Sequence, residues 1–301
     1  MTSLAVPILV VCAISATLGI ATYAIARRHC RVAVAAALAA TGGLLLNALM
    51  LQDHIVVASV LPLQNVVIYG NVMLPLTAVL ATAAWVLLPG PPWQRWLCAI
   101  ALFVVASWRV AAPLLRPAPV FKDDRWTQSV CRQSSLSSCS AAAAATALGD
   151  AGIETNEREM ASLCLTTIDG TTNLGLYRGL RIKAREAALP IVPIQAAPNV
   201  IRRRGIRRCI FSITSPRENI FTPAGKHSVV LFGFNADGSA DIGDPFSGRQ
   251  EWSIKQFDTL WPGSGFAIGP QENGWRQDAT TSKMSCRTAD ISIRLRFLIE
   301  Q

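Results

Sequence analysis

An α+β fold is the class this sequence predicts, with helices packed on an antiparallel sheet behind an N-terminal bundle of about four transmembrane helices. Three observations carry the expectation. The first third is almost free of charge. An alanine-rich helical segment opens the remainder. Segments rich in β-branched residues, separated by turn residues, follow it.

Of 301 residues, 51% are hydrophobic, and the excess is concentrated at the N-terminus. Residues 1–113 hold five Arg, no Lys and a single acid, Asp53, whereas residues 114–301 hold 23 Lys and Arg against 18 Asp and Glu. Lipid is the natural solvent for the first part and water for the second. Four apolar stretches, 4–26, 32–51, 66–88 and 96–113, are each long enough to cross a hydrocarbon layer of about 30 Å. Pro75 lies inside the third, and Arg109 near the end of the fourth must snorkel or face protein. Residues 55–63 are apolar but too short to span, which suggests an interfacial or re-entrant piece. A cleaved signal peptide fits the first stretch poorly, because no basic segment precedes it and Arg27-Arg28 follow it.

Arg27, Arg28 and Arg31 fill the first short loop and Arg95 the third, while Gln52-Asp53-His54 in the second carries no Lys or Arg. The positive-inside rule then puts both termini, and the C-terminal domain, on the extracytoplasmic side. Cysteine number is compatible with that side. Removing one catalytic thiol from Cys131, Cys139, Cys164, Cys209 and Cys286 leaves four, enough for two disulfides or for four reduced thiols.

Residues 114–125 read as a proline-containing linker, and a second domain covers 126–301. Residues 139–149 (CSAAAAATALG) have the highest helix propensity in the chain, with Ser137 and Ser138 as cap candidates and Gly149 as a stop. A second helix is expected over 155–164, with Glu157 and Glu159 in its first turn, and a third over 173–188. Strands are expected over 190–195, 208–214 and 227–234. The turn Asn235-Ala236-Asp237-Gly238 then makes a hairpin with the residues leading to Asp244. A short strand and helix follow near Trp252–Trp261, then a polar loop over 270–288 and a last strand over 290–299.

Cys139 stands at the predicted N-terminus of the alanine-rich helix, where unpaired N–H groups and the helix dipole favour thiolate. Alone, such a cysteine is more often structural than catalytic. His227 is the single histidine of the second domain and can serve as base and then acid. The hairpin brings Asp244 to the same end as His227, where a carboxylate can orient the imidazole. Gln133, six residues before Cys139, can offer a side-chain N–H to an oxyanion together with the Cys139 backbone N–H.

Gln133, Cys139 ahead of a helix, His227 opening a hydrophobic strand, and Asp244-Pro245 after a hairpin together resemble the bacteriocin-processing cysteine peptidases. These are papain-like domains that cut leader peptides after a double glycine, often fused to ABC exporters. The resemblance spans roughly 126–262. It implies Cys139 as nucleophile, His227 as base and acid, Asp244 as orienter and Gln133 in the oxyanion hole. Ser138-Cys139-Ser140 stands where that family usually has Asp-Cys-Gly, and the membrane helices precede the domain here.

The expected activity is therefore a membrane-bound thiol protease acting on a peptide or protein, with leader processing as one form. A transglutaminase-like acyl transferase and an inactive peptide-binding module are the alternatives. The expected partners are that substrate, the lipid bilayer and another membrane protein. No zinc-finger spacing, P-loop or dinucleotide fingerprint occurs, so no cofactor, metal or nucleic acid is expected. The basic cluster Arg202-Arg203-Arg204 with Arg207-Arg208 reads as a solvated loop or a contact for anionic lipid or substrate.

Overall fold

A computed structural model describes residues 2–121, 125–214 and 226–271. The expected strand over 290–299, Cys286 and almost all of the polar stretch 270–288 lie outside those residues.

The N-terminal part is helical: α1 (Thr2–Ala26), α2 (Cys30–Leu46) continued by a π-helical turn (Asn47–Leu51), α3 (Ile55–Val60), α4 (Val66–Tyr69), α5 (Met73–Leu87) and α6 (Pro92–Leu115). Three segments are long and apolar enough to cross a membrane: Leu4–Ala26, Cys30–Leu51 and Val66–Leu87. The fourth expected stretch, 96–113, is helical within α6, which packs on α5. The α5 helix also packs against α1 and α2, so it is the hub of the bundle. Their outward faces expose Leu9, Ile20, Leu38 and Phe103, as lipid contact requires.

The short apolar segment 55–63 forms α3 and its C-terminal extension, and it packs on the second domain. Ile55, Ala58 and Val66 belong to the same buried cluster as Ala141–Ala145 and Leu174. Ile55 and Ala58 of this segment are buried against protein, whereas Val60 and Leu63 remain exposed.

The second domain begins with a small hairpin, β1 (Arg125–Thr127) and β2 (Val130–Arg132). Helices α7 (Cys139–Asp150), α8 (Glu157–Leu163) and α9 (Asn173–Ala184) come next. Then follow β3 (Ile191–Gln195), α10 (Pro198–Arg203), β4 (Cys209–Thr214), β5 (Lys226–Phe234), β6 (Ala240–Asp244), β7 (Gly248–Trp252), α11 (Ile254–Leu260) and β8 (Ser264–Ile268). The main sheet has six strands in the order β3-β8-β4-β5-β6-β7, and every pairing in it is antiparallel.

Both faces of that sheet are covered. Ile210, Val230 and Phe232 pack with α7 and α9, whereas Cys209, Phe211, Val229 and Leu231 pack with Phe257 and Trp261 on the far side. That alternation explains the unbroken apolar run VVLF in β5, because a strand buried on both sides has no polar face. On the far side Phe211 lies 5.0 Å from Trp261 and Phe234 lies 5.2 Å from Phe257 between ring centroids. Such pairs add about 0.5–1.5 kcal/mol each beyond their burial.

The α7 helix is the centre of the other layer. Residues 139–148 are all buried, and Ala141–Ala145 have no exposed surface. Alanine supplies helix propensity and also the thinness that lets α7 lie close to β5, α8 and α9 at once. Thr146 inside it accepts the Cys131 N–H at 2.9 Å, which ties β2, and so the segment that carries Gln133, to the helix that starts at Cys139.

Candidate active site

Cys139 is the first residue of α7. The first backbone bond of that helix runs from the Ala142 N–H to the Ser138 carbonyl at 3.0 Å. The amides ahead of it, including that of Cys139, are thus the orphan donors of a helix N-terminus. Ser138 was expected to cap this end, but its side chain makes no cap bond. Its hydroxyl instead donates to the Ser135 carbonyl at 2.9 Å and accepts the Ser135 N–H at 3.1 Å, closing the preceding loop on itself.

The loop 133–138 is held from two further sides. The Gln133 N–H donates to the Pro245 carbonyl at 3.0 Å, which links it to the turn after Asp244. Ser134 donates its N–H to Glu157 Oε1 at 2.8 Å and its hydroxyl to Glu157 Oε2 at 2.6 Å. Gln133 Nε2 donates one hydrogen to the Ser135 carbonyl at 3.0 Å, and its Oε1 is buried without a partner among the described residues. The second Nε2 hydrogen is not needed by that bond.

His227 opens β5, and Asp244 closes β6, its antiparallel neighbour. The hairpin thus brings the two side chains together at 2.7 Å between His227 Nε2 and Asp244 Oδ1, both largely buried. Asp244 Oδ1 also accepts the Phe246 N–H at 2.7 Å, so the carboxylate is itself fixed by the turn. Nε2 is engaged by Asp244, and the remaining ring nitrogen, Nδ1, is the one available to Cys139, whose thiol and the His227 ring each shift the other's proton affinity.

The electrostatics follow from these contacts. Burial pushes the Cys139 thiol up. The His227 hydrogen bond and charge, the Ser228 N–H and the Ser140 hydroxyl pull it down, and the net position is below an ordinary thiol. Burial alone pushes His227 down, but its bonds to Asp244 and Cys139 raise it to about 9. For Asp244 burial pushes upward, and the His227 bond and charge outweigh it, keeping the carboxylate below its usual range. A thiolate, an imidazolium and a carboxylate in hydrogen-bonded series is the state these shifts favour. Such a group can attack a carbonyl and then protonate a leaving amine.

Two serines that sequence reasoning did not single out belong to the site. The hydroxyls of Ser140 and Ser228 meet at 2.8 Å, and both serines help to lower the Cys139 thiol. Each directly follows a member of the expected triad, so adjacency was the signal available. The other cysteines of the domain are of a different kind. Cys164 and Cys209 are buried free thiols, so neither forms a disulfide among the described residues. Burial pushes Cys164 to about 12 and Cys209 higher still, which leaves them unreactive. The basic cluster is partly spent inside the molecule, since Arg202 pairs with Asp258 and Arg208 with Asp150.

No family model and no curated protein matches this chain. Solved structures do. A double glycine motif protease from an AMS/PCAT transporter, in complex with the leader peptide, is 23% identical, with a TM-score of 0.39, over 51% of this chain and 98% of its own. The peptidase domain of Streptococcus ComA, a bi-functional ABC transporter involved in a quorum sensing pathway, is 20% identical, with a TM-score of 0.38, over 46% of this chain and 96% of its own. The peptidase domain of Streptococcus mutans ComA is 18% identical, with a TM-score of 0.34, over 47% and 99%.

Proposed function

We propose that this protein is a membrane-bound cysteine peptidase. The observation that carries the reading is the buried His227–Asp244 hydrogen bond, coupled to the Cys139 thiol that starts α7. The Cys139 thiolate attacks the scissile carbonyl carbon, and the carbonyl electron pair moves to oxygen. The Cys139 N–H and the free hydrogen of Gln133 Nε2 are the donors offered to that oxyanion. Collapse expels the amine, which takes the proton from His227 and leaves a thioester. His227 then removes a proton from water as it attacks the thioester. The second oxyanion collapses to a carboxylic acid, and the thiolate returns with His227 protonated. Asp244 keeps Nδ1 facing the sulfur and offsets the imidazolium charge.

The order Gln133, Cys139, His227, Asp244 makes a leader-like peptide ending in Gly-Gly the first substrate to test. The catalytic domain works on the extracytoplasmic side. Two features support this: the arginine-rich first and third loops, and the docking of the arginine-free second loop on the domain. A thiol-reactive peptide probe should label the wild-type full chain at Cys139, and a fluorogenic Gly-Gly peptide should be hydrolysed. Both signals should vanish in Cys139→Ala. Equal labelling and turnover in that variant would overturn the proposal.

A further inference from the structure

Glu157 is 1% exposed, and both of its carboxylate oxygens accept from Ser134, the residue that follows Gln133. A carboxylate is costly to bury, and here the cost is met by one backbone N–H and one hydroxyl of a single loop residue. That loop carries the side chain offered to the oxyanion, and it is short. Gln133 lies at one end, Cys139 at the other, and Ser135 and Ser138 close it internally. Pro245 holds it from the Asp244 side and Glu157 from the α8 side. With the Oε1 of Gln133 buried and unpartnered among the described residues, the side chain has one hydrogen bond of its own, to Ser135. Its position therefore depends on where the loop backbone is held.

We infer that Glu157 is a positioning residue for catalysis: by gripping Ser134 through two hydrogen bonds it sets the Gln133 side chain against the oxyanion. The inference rests on the peptidase reading above and assigns a role to a residue of α8 that does not touch the reacting atoms. Oxyanion stabilisation is sensitive to donor placement, and loss of one donor lowers turnover by a factor on the order of 100–1000. A displaced donor loses part of that.

The test uses the full-length chain in detergent with two readouts. One is kcat and KM on the fluorogenic Gly-Gly peptide. The other is the rate of iodoacetamide alkylation at Cys139, followed by mass spectrometry of its peptide. Alkylation consumes the thiolate in a displacement at carbon and forms no oxyanion, so it reports the Cys139–His227 pair alone. Glu157→Gln and Ser134→Ala should each lower kcat roughly 10-fold to 100-fold. KM and the alkylation rate should stay within about twofold of wild type. Adding Gln133→Ala to either should cost little more, because all three act through one donor.

Unchanged kcat in both variants overturns the inference. So does an equal fall in kcat and alkylation, which would make Glu157 a purely structural clamp. If Glu157→Gln does not fold, Ser134→Ala alone decides by the same criteria. An inactive wild-type chain whose Cys139 still alkylates fast would sink the peptidase reading instead, so the two failures are distinct.

Discussion

At the scale of the residue, the site is a charge arrangement more than a shape. The thiol of Cys139 sits below its ordinary range because His227 is beside it, and His227 sits at about 9 because Asp244 and the sulfur are beside it. The reactive pair is populated above the first position and below the second. The kcat/KM profile on a Gly-Gly peptide should therefore be a bell, with its acid limb below the ordinary thiol range and its alkaline limb near about 9. In Asp244→Asn the imidazolium loses its largest stabilising partner. The alkaline limb should move to lower pH, and kcat/KM should fall at least about tenfold, roughly 1.4 kcal/mol of transition-state stabilisation. An alkaline limb that stays in place would show that Asp244 does not set the proton affinity of His227. Folding stability carries the same sign. His227 holds its proton more tightly folded than unfolded, so its contribution is complete below its ordinary value of 6.5 and is lost as pH rises through about 9.

At the scale of the element, the legible parts were those whose local pattern and tertiary role agree. The alanine run is helical by propensity and also central by thinness. The strand beginning at His227 is apolar because both its faces are covered. The hairpin turn places His227 and Asp244 together for reasons visible in Asn235–Gly238. β8 was missed for the opposite reason. It lies inside the sheet between β3 and β4, yet its sequence begins Gly263-Ser264-Gly265 after a proline, which reads as turn. A Cβ on Gly265 would lie 2.7 Å from the Ile210 carbonyl oxygen, so close strand approach demands the residue that hides the strand. Glu157 was legible as a first-turn acid of a helix, but its grip on Ser134 spans 23 residues and has no local signature. The packing of α7 gives an expectation of its own. Ala144→Leu adds volume where no exposed surface remains, and should destabilise the full chain by about 1–3 kcal/mol, seen as a lower thermal midpoint. An unchanged midpoint would mean that α7 is less tightly enclosed than its burial indicates.

At the scale of the whole molecule, the helical N-terminal part is a structural partner of the second domain. Asp53, the sole acid of residues 1–113, accepts the Asn173 N–H at 2.8 Å and the Leu174 N–H at 2.9 Å at the start of α9. The Asn173 side chain donates to the Asp53 carbonyl at 3.0 Å, and Asp53 holds a left-handed φ of 57° to do this. Such a backbone in a non-glycine residue persists where its surroundings over-determine it. Asp53 stands between the candidate spans Cys30–Leu51 and Val66–Leu87, and the proposed topology puts its loop and the second domain on one side of the membrane. Leaving that side and returning takes two crossings. In the proposed topology Val66–Leu87 supplies one, and α6 is assigned the other. Its exposed Trp96, Ile100, Phe103 and Val104 suit lipid. The proposed topology holds the arginines of the first and third loops inside and turns loop two and the second domain outward. In intact cells a membrane-impermeant maleimide should then label Leu63→Cys, an exposed position of loop two. It should spare Cys30, beside Arg27, Arg28 and Arg31, until the membrane is permeabilised. The reverse pattern would put the site in the cytoplasm. Labelling of both from outside would break the premise that one span separates them.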